Sequence, residues 1–166
     1  MSEQSEHLNP GSDGRQLEDP TLVNRGSVHV ARRAQLSADT AQTSGLLRRV
    51  AFDSRNPDAK VLSAFLTTVL PGAATGAHHY GDQETILYVV EGIARYRWGE
   101  HLEHVVEAGP GDFVFIPAHT VHQEINASAD RPTVWAVTRS GTDPIVVNLP
   151  ELDKFAESAA REHPHA

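Results

Sequence analysis

The fold is read most directly from residues 111–126, GDFVFIPAHTVHQEIN. Asp112–Ile116 is strand-like and apolar on both faces, Val114 and Ile116 opposing Phe113 and Phe115. After Ile116-Pro117 comes a second strand-like run. Side chains two apart on an extended chain share a face, so His122, Glu124 and Asn126 line one side of it. The same pattern recurs on both sides of this stretch. Short β-branched or aromatic runs alternate with turn formers: LLRRVAF (46–52), VLSAFLTTVL (61–70), ETILYVV (84–90), IARYRW (93–98), HVVEA (104–108), DFVFI (112–116), TVHQEI (120–125), TVWAVTR (133–139) and IVVNL (145–149). Nine strand-like segments at a spacing of about ten to twelve residues, with no helical period between them, predict an all-β antiparallel sandwich or barrel. In Thr85–Glu91, Leu87 and Val89 oppose Ile86, Tyr88 and Val90, so this strand too is apolar on both faces. One face fills the barrel and the other calls for cover, most simply from a second copy of the chain.

The flanks are less structured in pattern. Residues 1–20 form a polar tail mixing Ser, Gly, Pro and charge, expected to be disordered. Residues 21–45 read as an N-terminal arm in which Val28, Val30 and Leu36 could make a short strand. The barrel is expected over 46–149. In 150–166, Leu152, Phe155 and Ala159 recur at helical spacing and predict a short C-terminal helix followed by a tail.

The 166 residues hold 39% apolar and 22% charged residues, an ordinary globular mix. Twenty-two acidic against fourteen basic residues leave a formal charge of −8. The longest basic runs are Arg32-Arg33 and Arg48-Arg49, so neither nucleic acid nor a membrane surface is an expected partner. With no cysteine, disulfides, thiolate metal sites and cysteine nucleophiles are excluded. No apolar run reaches the length of a membrane span, and the acidic first 20 residues do not read as a signal peptide. A soluble, cytoplasmic protein is the expectation.

The histidines cluster. His78 and His79 follow the turn PGAATG, and His119 and His122 follow Pro117. The surrounding stretches, PGAATGAHHYGDQETILYVVEG and GPGDFVFIPAHTVHQEIN, resemble the two signature motifs of the cupin superfamily. Gly111, Pro117, His122 and Asn126 match the second motif; Gly72, His78, Glu84 and Gly92 match the first. The resemblance covers residues 46–149 and implies a double-stranded β-helix, a jelly-roll barrel that is commonly a homodimer. It also implies one divalent metal held by three His and a carboxylate.

The residues alone support the same chemistry. His78 and Tyr80 share a face of one strand, His122 and Glu124 of another. Bringing these strands together gathers imidazoles and a carboxylate into an N/O set suited to Fe(II), Mn, Ni, Cu or Zn with positions left open.

Two departures from the cupin pattern bear on the ligands. The usual carboxylate position, seven residues before Gly92, holds Thr85, with Glu84 one step off. A one-residue step changes face, so Glu84 serves only if a bulge restores it. Pirins, a branch of the cupins with similar spacing, place the carboxylate two residues after the second-motif His, which here is Glu124. Tyr80 stands where many cupins have a second His, leaving His79 as a substitute. His119 stands where Gly is usual, at the barrel mouth. The metal candidates are therefore His78, His122, Glu124, Glu84 and His79. Tyr80 and His119 are the candidate catalytic residues, orienting substrate or moving protons.

The function expected from this resemblance is a metal-dependent enzyme on a small organic substrate, first of all an Fe(II) dioxygenase or oxygenase using dioxygen. A non-redox isomerase, lyase or cyclase is the second expectation, and a non-enzymatic metal or small-molecule binding module the third.

Overall fold

Ten strands carry the chain from Leu46 to Asn148 in the computed structural model, which describes residues 27–40 and 45–156. They are β1 (Leu46–Phe52), β2 (Leu62–Val69), β3 (His78–His79), β4 (Thr85–Glu91), β5 (Ala94–Trp98), β6 (His104–Ala108), β7 (Phe113–Ile116), β8 (His122–Asn126), β9 (Thr133–Ser140) and β10 (Val147–Asn148). Two five-stranded sheets result, in the orders β1-β2-β9-β4-β7 and β10-β3-β8-β5-β6, and their strand pairs are antiparallel. This is the expected double-stranded β-helix.

Alternation builds the interior. In β4, Thr85, Leu87 and Val89 are buried while Ile86, Tyr88 and Val90 are exposed. In β9, Thr133, Trp135, Val137 and Arg139 turn inward. Phe65, Leu87, Val89, Trp135 and Val137 meet in the apolar core, each contributing on the order of 1.5–3 kcal/mol by burial. Phe115, on the opposite face of β7 from Ile116, is 56% exposed. The sharp return between β4 and β5 depends on Gly92, at φ +79°: a Cβ there would lie 2.8 Å from that of Thr133.

Each of the nine expected segments contains a strand. The tenth, β3, is only two residues long and is tied to β8 by a single register pair, too short to announce itself as a run. The arm makes no strand within its described residues. It contributes a 3-10 turn at Arg33–Gln35 and one bridge, Ser37 to Val50, while Val28 and Val30 stay exposed. At the other end Pro150–Phe155 forms a 3-10 helix. The expected tail at 1–20, residues 21–26 and 41–44 of the arm, and 157–166 lie outside the described residues. No helix among the described residues is long and apolar enough to cross a membrane.

Candidate functional site

His78 on β3 and His122 on β8 are direct cross-strand partners, so their side chains leave the sheet on the same, inner face. The ring centroids are 4.3 Å apart, and Tyr80, two residues beyond His78, places its ring 4.7 Å from that of His122. His78 Nδ1 lies 3.0 Å from the carbonyl oxygen of Gly76, and His122 Nδ1 2.8 Å from that of Thr120. A carbonyl oxygen only accepts, so each Nδ1 carries a hydrogen, which turns Nε2 inward on both rings. His122 Nε2 is buried without a hydrogen-bond partner. Burial, then the neighbouring His78, lowers the His122 pKa to about 3, so this imidazole is neutral at physiological pH.

Glu124 joins the pair from β8, two residues past His122. The Tyr80 hydroxyl donates to Glu124 Oε1 at 2.9 Å and lies 3.3 Å from His78 Nε2. Burial, reinforced by the Glu124 carboxylate, raises the Tyr80 pKa well above that of a free phenol. Its proton is directed at the Glu124 carboxylate, with the His78 imidazole alongside.

The opposite sheet supplies a residue that motif reading missed. Arg139 on β9 is buried, with its guanidinium carbon 3.6 Å from the centroid of the Tyr80 ring. Its Nε donates to Thr85 Oγ1 at 3.0 Å and one terminal nitrogen to the Ile145 carbonyl at 3.2 Å. Burial lowers its pKa, while Tyr80 and Glu124 oppose that shift. Thr85 occupies the usual cupin carboxylate position, and here it anchors an arginine. The period-two alternation of β9, counted on from Trp135 and Val137, was the available signal for Arg139.

Other expected site residues lie elsewhere. Glu84 is exposed, with its backbone paired to Ser140. The register irregularity between β4 and β9 falls at Val89–Glu91, the far end of the strand, and does not turn Glu84 inward. His79 is one step from His78 and faces away from it. Its Nδ1 accepts from the Gly81 amide at 3.0 Å, and its ring lies 5.8 Å from that of His119. His119 is exposed and pairs with Asp82 at 2.7 Å. It has φ +59°, which explains the usual glycine at this slot. Gln83 fastens the 143–145 loop, accepting from the Ile145 amide and donating to the Asp143 carbonyl. Asn126 braces loops in the same way, bonding the carbonyls of Val69, Leu70 and Arg131.

Among the described residues no three His, Asp or Glu side chains form a ready metal cage. The site instead offers two imidazole Nε2 atoms, one of them orphaned in a buried setting, with a carboxylate and a phenol bonded to each other beside them. This donor set fits a divalent transition metal: both imidazoles are oriented by backbone carbonyls and His122 is neutral.

Comparison with known proteins agrees with this architecture. Residues 65–139 match the family described as Cupin domain. A Bacillus subtilis oxalate decarboxylase mutant superposes with TM-score 0.57 at 24% identity, covering 66% of this chain and 29% of its own. The Lactobacillus farciminis oxalate decarboxylase formate complex gives 0.60 at 19% identity, covering 70% and 34%. An uncharacterised Klebsiella pneumoniae protein with a double-stranded β-helix domain gives 0.53 at 15% identity, covering 67% and 90%. At these identities the likeness is one of fold, and the chain spans about a third or less of the oxalate decarboxylase chains. No curated protein matches the sequence.

Proposed function

We propose that this cupin-domain protein is a metal-dependent enzyme acting on a small organic molecule, and that its own side chains serve proton transfer. The observation that supports this best is the Tyr80–Glu124 hydrogen bond set against two inward-facing imidazoles, of which His122 keeps a buried Nε2 with no partner. His78, His122 and Glu124 would hold the ion, with Tyr80 beside them. A bound divalent ion supplies Lewis acidity toward a substrate oxygen. Tyr80 then acts as a relay: its oxygen takes a proton from the substrate as its own passes to Glu124 Oε1, so the phenol never becomes a phenolate. That matters because burial makes the phenolate costly here. Arg139, stacked on the Tyr80 ring, fixes the ring in the orientation the relay needs.

A non-redox lyase, isomerase or cyclase is the reading this geometry favours. The fold likeness to oxalate decarboxylases, one of them described with Mn(II) centres, leans the same way. Oxygenase chemistry on Fe(II), the first expectation from sequence, is the second reading, because the same donors leave positions open for dioxygen. Elemental analysis of metal-replete protein and oxygen-electrode records during turnover test both. The expected result is about one divalent ion per chain, lost in His78→Ala and in His122→Ala, and turnover without dioxygen uptake. Oxygen consumed in step with substrate would move the assignment to an oxygenase. A replete wild type that holds no ion would leave only the binding-module reading.

We also propose that a second copy of the chain covers the outer face of β4 and β7, where Phe113 is 72% exposed beside Ile86, Tyr88 and Phe115. Sedimentation of wild type and Phe113→Asp tests it: a dimer and a monomer are expected, and a monomeric wild type would end the idea.

A further inference from the structure

β3, which carries His78, has only two residues and is tied to β8 by one register pair. Its other edge is made by the chain that follows β9. β10 pairs with it there, Asn148 opposite His78 and Val147 opposite His79. The Leu149 amide then donates to the Ala77 carbonyl at 2.9 Å. The 3-10 helix Pro150–Phe155 comes next and brings Asp153 over the turn that leads into β3.

At that turn Asp153 Oδ1 accepts from the Ala77 amide at 2.9 Å. The same peptide unit carries the Gly76 carbonyl, which accepts from His78 Nδ1 at 3.0 Å. A trans peptide is planar, with N–H and C=O pointing in opposite directions, so whatever grips the one aims the other. Carboxylate, peptide and imidazole thus form one continuous run, its two hydrogen bonds joined head to tail.

Gly76 fits this run. It is not among the glycines held at positive φ, so the backbone does not demand a glycine here. A Cβ on it would instead lie 2.8 Å from Asp153 Oδ1 and 3.3 Å from Oδ2. The absent side chain leaves the room that the carboxylate takes up.

We infer that Asp153 is a positioning residue for His78. From the exposed end of the chain it holds, through one peptide unit, the Nδ1 hydrogen bond that turns His78 Nε2 toward Tyr80 and His122. A water could replace the carboxylate on the Ala77 amide, but it would have no fixed place from which to aim the peptide. The inference rests on the metal reading for the use made of Nε2. The aim of the ring itself is measurable without metal.

The test uses the full chain stripped of metal by chelation, as wild type, Asp153→Ala, Asp153→Asn, Gly76→Ala, Gly76→Ala with Asp153→Ala, and Phe155→Ala. Two quantities are read: the His78 Nδ1–H signal in nitrogen-correlated NMR, and the affinity for Zn(II), counting only binding that is lost in His78→Ala. Wild type should show a slowly exchanging Nδ1–H. Asp153→Ala and Gly76→Ala should each speed its exchange and weaken Zn(II) binding about 10–100-fold, the scale of losing the partner behind a metal-ligating imidazole. Asp153→Asn should stay close to wild type, since an amide oxygen still accepts. The double variant should bind no more weakly than Asp153→Ala, because the added methyl then has nothing to displace. Phe155→Ala, which removes the ring packed on His101 at the end of the same helix, should leave both readouts unchanged whatever it does to the melting temperature. Should Asp153→Ala fail to fold, Gly76→Ala carries the test, as it only pushes aside the end of a flexible side chain.

Wild-type exchange and Zn(II) affinity in Asp153→Ala or Gly76→Ala would overturn the inference. So would a loss in Phe155→Ala equal to that in Asp153→Ala, the mark of a merely structural strap, or an Asp153→Asn as impaired as the alanine. If wild type takes up no more Zn(II) than His78→Ala while the Nδ1–H still follows Asp153, the metal reading falls and the positioning stands. Zn(II) held at His78 with an Nδ1–H indifferent to Asp153 does the reverse.

Discussion

Four histidines sit near the barrel mouth, two in each of two environments, and the contrast turns on single steps along a strand. His78 and His122 are buried partners with Nε2 atoms facing inward, and His122 Nε2 has no bond at all. His79 and His119 lie outside, one accepting from a backbone amide and the other paired with an exposed Asp82. The pleat sends His78 in and His79 out, so neighbours in sequence have unlike chemistry. An imidazole is a ligand or a base because of where its lone pair is kept, and here backbone carbonyls keep it.

The largest break in this contrast comes from His122→Ala or His78→Ala, which should abolish metal retention and turnover, while His79→Ala and His119→Ala leave the metal in place. Elemental analysis of the four variants separates the pairs. Below that in size, Tyr80→Phe should keep the fold and the metal and lower kcat by about 10²–10⁴-fold, the range of a lost general acid–base group, whereas Glu124→Gln removes a metal-holding carboxylate as well and should also weaken metal retention. Steady-state kinetics with KM little changed would mark the relay, and unaltered kcat would remove it.

Acid should expose the inner pair thermodynamically. The unfolded chain protonates His122 near the ordinary histidine value of 6.5, the folded chain only near 3, so between these limits the unfolded state binds more protons. Stability should therefore decline as pH falls from about 6.5 toward 3, and chemical denaturation across that range should show a shallower decline in His122→Ala. The smallest effect belongs to the outer pair. His119→Gly relieves a left-handed backbone worth about 1 kcal/mol and gives up an exposed contact with Asp82 worth about 0–1 kcal/mol. A melting temperature raised by up to about 4 °C is the expected result.

Much of the barrel was legible because strand alternation is local: in β4 and β9 every second residue is buried, as the apolar pattern requires. The two-residue β3 was not legible as a separate strand, since its pairing depends on β8 arriving beside it. The site divides in the same way. His78 and His122 stood out by motif, and Tyr80 by its place on the same face as His78. Arg139 carries no motif; it became a site residue when the sheet holding β9 packed across from β8 and aimed an ordinary strand position at the same interior.

Sequence by itself determined the β-period, the turns that interrupt it, and the pairing of imidazoles with nearby carboxylates. Tertiary structure alone decided which carboxylate meets the imidazoles. Glu84 and Glu124 are both within reach along the chain, but only Glu124 shares the inner face and receives the Tyr80 hydrogen bond. The register irregularity that could have turned Glu84 inward lies at the other end of β4. The position of a bulge is a property of two packed strands, because an extra residue is placed where the ladder on both sides can still close.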